Sequence, residues 1–185
     1  LVQKVMYFHA PSGMVMLISA VVCGVASALY LWKRDPAADR VAIAAAELTA
    51  LFGLIVLVTG PLWARKAWGV WWVWEARLTM SFVGWLIAVG YLFVRKYGGP
   101  GSDKLAAGLA VFGTANVPFI YVSVNIWRTM HPMTTVVPTL QPGMRGAFWF
   151  SALTLFMLYG LLLAARVHLE RQRTALDQLY LAEED

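Results

Sequence analysis

The run Ser12-Gly13-Met14-Val15-Met16-Leu17-Ile18-Ser19-Ala20-Val21-Val22-Cys23-Gly24-Val25-Ala26-Ser27-Ala28-Leu29-Tyr30-Leu31-Trp32 carries no charge and stops at Lys33-Arg34-Asp35-Pro36. Roughly 20 such residues, each rising about 1.5 Å in a helix, cross the hydrocarbon core of a bilayer. The run therefore predicts a transmembrane helix, opened at Pro11 and Ser12 and ended by charges and a helix breaker. Four more runs follow: Val41 to Leu62, closing on Gly60-Pro61; Leu78 to Val94, stopping at Arg95-Lys96 before Gly98-Gly99-Pro100-Gly101; Leu105 to Trp127; and Ala147 to Ala165. Period-two alternation is nowhere sustained, and an open sheet leaves backbone groups unpaired in lipid. The predicted class is all-α, a polytopic transmembrane helical bundle with five visible spans.

Composition agrees. Of 185 residues, 60% are hydrophobic and only 14% charged, whereas a soluble domain carries about a quarter charged residues. Mean hydropathy is +0.65. The net charge of +5 does not argue for nucleic acid, because the basic residues sit in short loops between apolar runs, where they orient a membrane protein. Cys23 is the single cysteine, which excludes a disulfide within the chain, a Cys-based zinc site and a CxxCH haem attachment. Residues Leu1 to Phe8 lack the basic head, apolar stretch and small-residue cleavage site of a signal peptide.

Lys33, Arg34, Arg40, Arg95, Lys96, Lys104, Arg166, Arg171 and Arg173 fall on one face; Lys4, Arg65, Lys66, Arg77, Arg128 and Arg145 fall on the other. The bias places the first group, with the tail, in the cytoplasm. The chain then begins outside, and the expectation is either a further span before Leu1, giving six, or a shorter form of the protein. Residues 1–166 form the predicted membrane domain, and 167–185 a cytoplasmic helical tail with Leu169, Leu176 and Tyr180 at helical spacing. That tail reads either as solvated or as a docking surface.

This topology collects three distant stretches on the outer face: Tyr7-Phe8-His9-Ala10-Pro11, the segment 63–79, and Trp127-Arg128-Thr129-Met130-His131-Pro132. Trp63, Trp68, Trp71, Trp72 and Trp74 crowd into twelve positions between residues 63 and 74. An interfacial aromatic belt also uses Trp, but scatters it over many helix ends. Five together suit a platform for a large flat apolar ligand. At 100° per residue, Trp68, Trp71, Trp72 and Glu75 are expected on one face of a helix lying at the headgroup level, with Trp74 and Arg77 pointing elsewhere. His9 and His131 stand beside them. Zinc wants three or four ligands and no third His or Cys is at hand. Haem supplies four nitrogens and leaves two axial positions, which a pair of neutral imidazoles fills. Arg77 and Arg128 read equally as propionate partners or as headgroup anchors. His168, on the cytoplasmic side, reads as a tail residue.

At these residues the chain resembles a known family. Trp68-Gly69-Val70-Trp71-Trp72-Val73-Trp74-Glu75-Ala76-Arg77-Leu78-Thr79 closely resembles the tryptophan-rich "WWD" signature of haem-handling membrane proteins in cytochrome c maturation, and its Arg-Leu-Thr ending resembles the CcmC branch. Tyr7-Phe8-His9-Ala10-Pro11-Ser12 is similar to that family's first His region. Val58-Thr59-Gly60-Pro61-Leu62-Trp63 is similar to the approach to the signature, and Ser123-Val124-Asn125-Ile126-Trp127-Arg128-Thr129-Met130-His131 to the second His region. The resemblance implies a protein that is not an enzyme but holds haem b at the outer face of the cytoplasmic membrane, with His9 and His131 as axial ligands. It further implies delivery to the haem chaperone CcmE, alongside the ABC transporter subunits CcmA and CcmB and the small single-span CcmD. Trp63, Trp68, Trp71, Trp72, Trp74, Glu75, Arg77, Trp127 and Arg128 are the expected surroundings of the haem. Two departures stand out: Glu75 replaces the usual Asp, keeping the charge and lengthening the reach, and five spans are visible where the family usually has six.

Two other functions stay open at this point. A cytochrome c synthetase attaches haem directly, but that branch is much longer and richer in His. A b-type cytochrome usually buries paired His inside a bundle. Glu47, inside the second span, reads as a contact to a neighbouring subunit, as a haem entry path, or as a protonated or snorkelling carboxyl. Asn116, Pro118 and Asn125 predict a packed, kinked fourth span.

Overall fold

The structure, a computed structural model, describes residues 2–127, 129–133 and 136–184. Among them are seven helices: α1 (Val2–Lys33), α2 (Pro36–Ala67), α3 (Ala76–Tyr97), α4 (Ser102–Thr114), α5 (Asn116–Ile126), α6 (Val136–Thr139) and α7 (Pro142–Glu184). Five spans long and apolar enough to cross a membrane result among the described residues, with α4 and α5 together making one, Ser102–Ile126. The fold is an all-α polytopic helical bundle.

The chain reverses tightly between spans. Arg34 takes a left-handed conformation (φ 56°). Asp35 then caps α2 by accepting the Ala37 N–H at 2.8 Å, with Pro36 at the first helical position; an acceptor there satisfies an amide that has no partner within the helix. The turn between α3 and α4 uses Gly99 (φ 68°) and Gly101 (φ 82°), conformations a side chain would strain.

Two expected helix limits are overturned. α1 does not open at Pro11 but begins at Val2, and α2 does not close at Gly60-Pro61 but continues to Ala67. Proline removes one amide donor and leaves the carbonyl four residues earlier without its helical partner. At Pro11 that carbonyl belongs to Tyr7, and the Ser151 hydroxyl of α7 donates to it. A tertiary hydrogen bond thus replaces the helical one. At 32 residues, α1 is about 48 Å long, well beyond a hydrocarbon core of roughly 30 Å. His9 therefore lies within a continuous helix and not on a loop entering the span. The fourth span is interrupted at Ala115, between α4 and α5, as expected where Pro118 has no N–H to offer the Thr114 carbonyl. Asn116 Nδ2 donates to the Met80 carbonyl of α3 at 2.8 Å.

α1 packs most extensively on α2, and also on α4 and α7, while α3 lies against α2, α4 and α5. One core cluster joins Val15 and Met16 to Leu48, Phe52, Leu155 and Tyr159. Another joins Cys23 and Ala26 to Ala42, Ala45, Ala46, Tyr91, Ala106 and Ala110. Small residues let helix backbones approach closely where lipid offers no hydrophobic drive for association. Ser19 exploits the approach, donating to the Ala45 carbonyl at 2.8 Å. Outward, Leu161, Leu153, Phe150 and Phe112 stay exposed, as lipid-facing side chains should.

Because successive spans reverse, the starts of α1, α3 and α7 and the ends of α2 and α5 share one end of the bundle. The opposite end is held by polar ties. Tyr30 donates to Asp103, Arg95 pairs with Asp39 at 2.6 Å, and Arg166 grips Glu47 with two nitrogens while reaching Glu170 at 2.8 Å. Glu47 is thus partnered within the chain by Arg166. α7 runs without interruption from Pro142 to Glu184, so residues 167–184 continue the helix of the fifth span.

Candidate functional site

The site forms where α1, α2, α3 and the segment after α5 meet. His9 lies on α1 facing α2. Its Nδ1 is 2.8 Å from Thr59 Oγ1, and that hydroxyl gives its own proton to the Ile55 carbonyl at 2.7 Å. Having spent its proton, Thr59 accepts from His9. Nδ1 then carries the hydrogen and Nε2 the lone pair. Gly60 leaves room for the ring, since a Cβ there would stand 3.3 Å from His9 Cε1.

His131 reaches the same state by another route. Its Nδ1 lies 2.9 Å from the Pro132 carbonyl, which can only accept, so Nδ1 donates and Nε2 again holds the lone pair. Its backbone N–H donates to Thr129 Oγ1 at 3.0 Å. Burial, together with the guanidinium of Arg77, pushes the His131 imidazole down from 6.5 to about 4, so it is neutral at ordinary pH. The two imidazoles and Arg77 lie within mutual electrostatic reach. Two residues 122 positions apart are therefore brought together, both neutral-ligand ready at Nε2.

The tryptophan segment departs from expectation. α2 ends at Ala67, Trp68 caps it, Gly69 turns with φ 80°, and residues 70–75 are irregular. The expected single helical face of Trp68, Trp71, Trp72 and Glu75 does not exist. The positive φ at Gly69 breaks the helix, and the irregular segment that follows turns back on itself, the Glu75 N–H donating to the Val73 carbonyl at 2.9 Å. Trp72 and Trp74 meet edge to face, centroids 5.7 Å apart, while Trp68 meets Trp63 of α2 at 5.0 Å. Trp71 and Trp74 are 57% and 74% exposed, a broad aromatic surface. Trp127 ends α5 and packs on Phe119 at 5.3 Å. Arg128 lies outside the described residues.

Glu75 sits just before α3, and its Oε2 accepts the Met130 N–H at 3.0 Å. Arg77 Nη1 donates to the Ile120 carbonyl at 3.4 Å, leaving further donors on its guanidinium. Trp72 Nε1 and Glu75 Oε1 are buried without a hydrogen-bond partner among the described residues. A native site rarely leaves such groups unpaired unless something else satisfies them. His168 is exposed on the second half of α7, remote from the start of that helix, and lies 3.1 Å from Gln172 Nε2.

Sequence reasoning did not single out Thr59 or the Pro132 carbonyl, which set the tautomers. A hydroxyl in an otherwise apolar run, directly before Gly60-Pro61, is the trace of Thr59 in the sequence. The Pro132 carbonyl leaves none.

The family model described as "CcmC: Heme exporter protein C" matches residues 2–183. The Heme exporter protein C of Bradyrhizobium diazoefficiens is 33% identical over 172 residues, 92% of this chain and 65% of its own length. That of Escherichia coli (strain K12) is 32% identical over 178 residues, 92% of this chain and 69% of its own. A "Putative cytochrome c biosynthesis ccmC-like mitochondrial protein" of Marchantia polymorpha is 32% identical over 133 residues, 72% of this chain and 57% of its own. The chain thus spans between 57% and 69% of the length of these relatives.

Proposed function

The chain belongs to the heme exporter protein C family, and from that premise we propose that it binds haem b between His9 and His131 and hands it on for cytochrome c maturation. The observation that carries this reading is the matched pair of imidazoles, each donating Nδ1–H to an oxygen and each keeping the Nε2 lone pair. Metal-bound histidines are oriented by that kind of outer hydrogen bond.

Haem is the cargo, and its iron supplies two axial positions. His9, on α1, and His131, on an irregular segment, approach it from different elements. Trp71, Trp72 and Trp74 offer apolar surface to the porphyrin or to an incoming partner, with Trp63, Trp68 and Trp127 behind them. Arg77 and Arg128 are the candidates for the propionates, because a guanidinium matches a carboxylate bidentately. Trp72 Nε1 is a further donor in search of an acceptor.

In this reading the site end faces the periplasm of a bacterial inner membrane, and residues 167–185 form the cytoplasmic tail of a membrane domain covering 1–166. The recipient is the haem chaperone CcmE, and CcmA, CcmB and CcmD are the neighbours. The chain assists covalent transfer of haem without itself being an enzyme.

The test is optical and magnetic spectroscopy of the full chain loaded with haemin in detergent. The wild type is expected to give a six-coordinate low-spin spectrum, and His9→Ala with His131→Ala to lose it. A doubly substituted protein with wild-type haem content and Soret band overturns the ligand assignment. Co-purification that recovers neither chaperone nor transporter subunits overturns the delivery role.

A further inference from the structure

Glu75 stands at the N-cap of α3, with extended backbone (φ −103°, ψ 162°), yet its side chain makes no capping hydrogen bond. A carboxylate at this position ordinarily accepts an amide of its own first turn, where the helix dipole also favours it. Here Oε2 instead reaches across to the Met130 N–H at 3.0 Å, 55 residues away in sequence. The neighbour of Met130 is His131, whose backbone is further pinned by Thr129 and whose ring is pinned by Pro132. The side chain as a whole is half-buried, and its Oε1 is buried and unpartnered among the described residues.

We propose that Glu75 is the positioning residue that sets His131 as a haem ligand, tying the tryptophan segment and the second histidine into one mechanical unit. The inference rests on the reading of His131 as an axial ligand and assigns Glu75 a task other than touching haem. The extra methylene of Glu is what makes the crossing. An Asp at the same place has the length to cap α3 but not to span to Met130. Because Trp72 and Trp74 immediately precede Glu75 and pair with each other, a displacement of that pair is passed to His131 through a charge-assisted bond.

The experiment compares Glu75→Ala, Glu75→Asp and Glu75→Gln with His131→Ala, in the full chain in detergent titrated with haemin. Glu75→Ala and Glu75→Asp are expected to weaken haemin binding by about 10–100-fold, the usual effect of removing an outer partner of a metal ligand. Both should shift the spectrum from low spin toward high spin, as His131→Ala does, and added imidazole should restore the low-spin form. Glu75→Gln, whose amide oxygen still accepts the Met130 N–H, should resemble the wild type. If Glu75→Ala proves too poorly folded to load, the contrast between Asp and Gln decides. A low-spin spectrum retained in Glu75→Asp and Glu75→Ala, with His131→Ala still altered, overturns the role of Glu75 and leaves the axial reading standing. An unaltered His131→Ala spectrum removes the axial reading and this inference with it.

Discussion

Thr59 accepts the Nδ1 proton of His9 at 2.8 Å while giving its own proton to Ile55 of the same helix. One hydroxyl thereby fixes the tautomer, the ring plane and the direction of the Nε2 lone pair. α1 supplies the proposed ligand and α2 its orientation, so the close packing of the two helices is itself part of the proposed site.

Thr59→Val keeps the shape of the side chain and removes the acceptor. Haemin affinity should fall by about 10–100-fold, with unchanged helicity in the far-ultraviolet dichroism. Thr59→Ser should bind as the wild type does. Equal haemin affinity in the wild type and Thr59→Val speaks against the orienting bond.

The acid behaviour of the haem-free protein should carry the mark of His131. Its imidazole titrates near 4 in the fold against 6.5 in a free chain. Above about 6.5 both states are neutral and the group has no effect on stability. As pH falls from 6.5 toward 4, the unfolded chain takes a proton that the folded protein refuses, so stability drops through that window. Thermal melts in detergent at a series of pH values should show a shallower loss over this range in His131→Gln. Parallel slopes in the two proteins contradict the assignment.

Gly53 of α2 faces the indole of Trp85, and a Cβ at Gly53 would lie 2.7 Å from Trp85 Cδ1. The indole cannot easily retreat, because its Nε1 donates to the Ala50 carbonyl at 3.0 Å. Gly53→Ala should therefore cost about 1–3 kcal/mol by overpacking, despite the better helix propensity of Ala. Denaturant titration in mixed micelles measures it. The paired substitution Gly53→Ala, Trp85→Phe should recover part of the loss.

Arg166 holds Glu47 and Glu170 together at the end opposite the site. Arg166→Met leaves both carboxylates without their partner and should destabilise the protein by about 1–3 kcal/mol, between the values for exposed and buried pairs. Adding Glu47→Gln should restore most of it. Haemin affinity at the distant histidines should stay within about twofold, as expected of independent sites.

The fold class and the five spans were legible because length and apolarity are one-dimensional properties. Bilayer thickness converts a run of about 20 uncharged residues directly into a crossing helix. That His9, the tryptophan segment and His131 share one end was legible as well, since alternating spans must carry them there. The helix limits at Pro11 and Pro61 were misread, because local propensity knows nothing of Ser151, which takes over the carbonyl that Pro11 abandons. The regular face expected of Trp68 to Glu75 failed for a related reason. A single left-handed glycine, Gly69, ends the helix and leaves residues 70–75 irregular until α3 begins.

By itself the sequence determined a membrane-embedded helical bundle and the set of residues gathered at one of its ends. Only the tertiary structure decided the chemistry of that gathering. Which nitrogen of His9 and His131 keeps its lone pair depends on Thr59 and on the Pro132 carbonyl. Where His131 stands depends on a carboxylate that could have capped its own helix and instead crosses to Met130. Hydrogen bonds are directional and fixed at about 3 Å, so their partners are set by packing in three dimensions, which hydropathy along a chain does not encode.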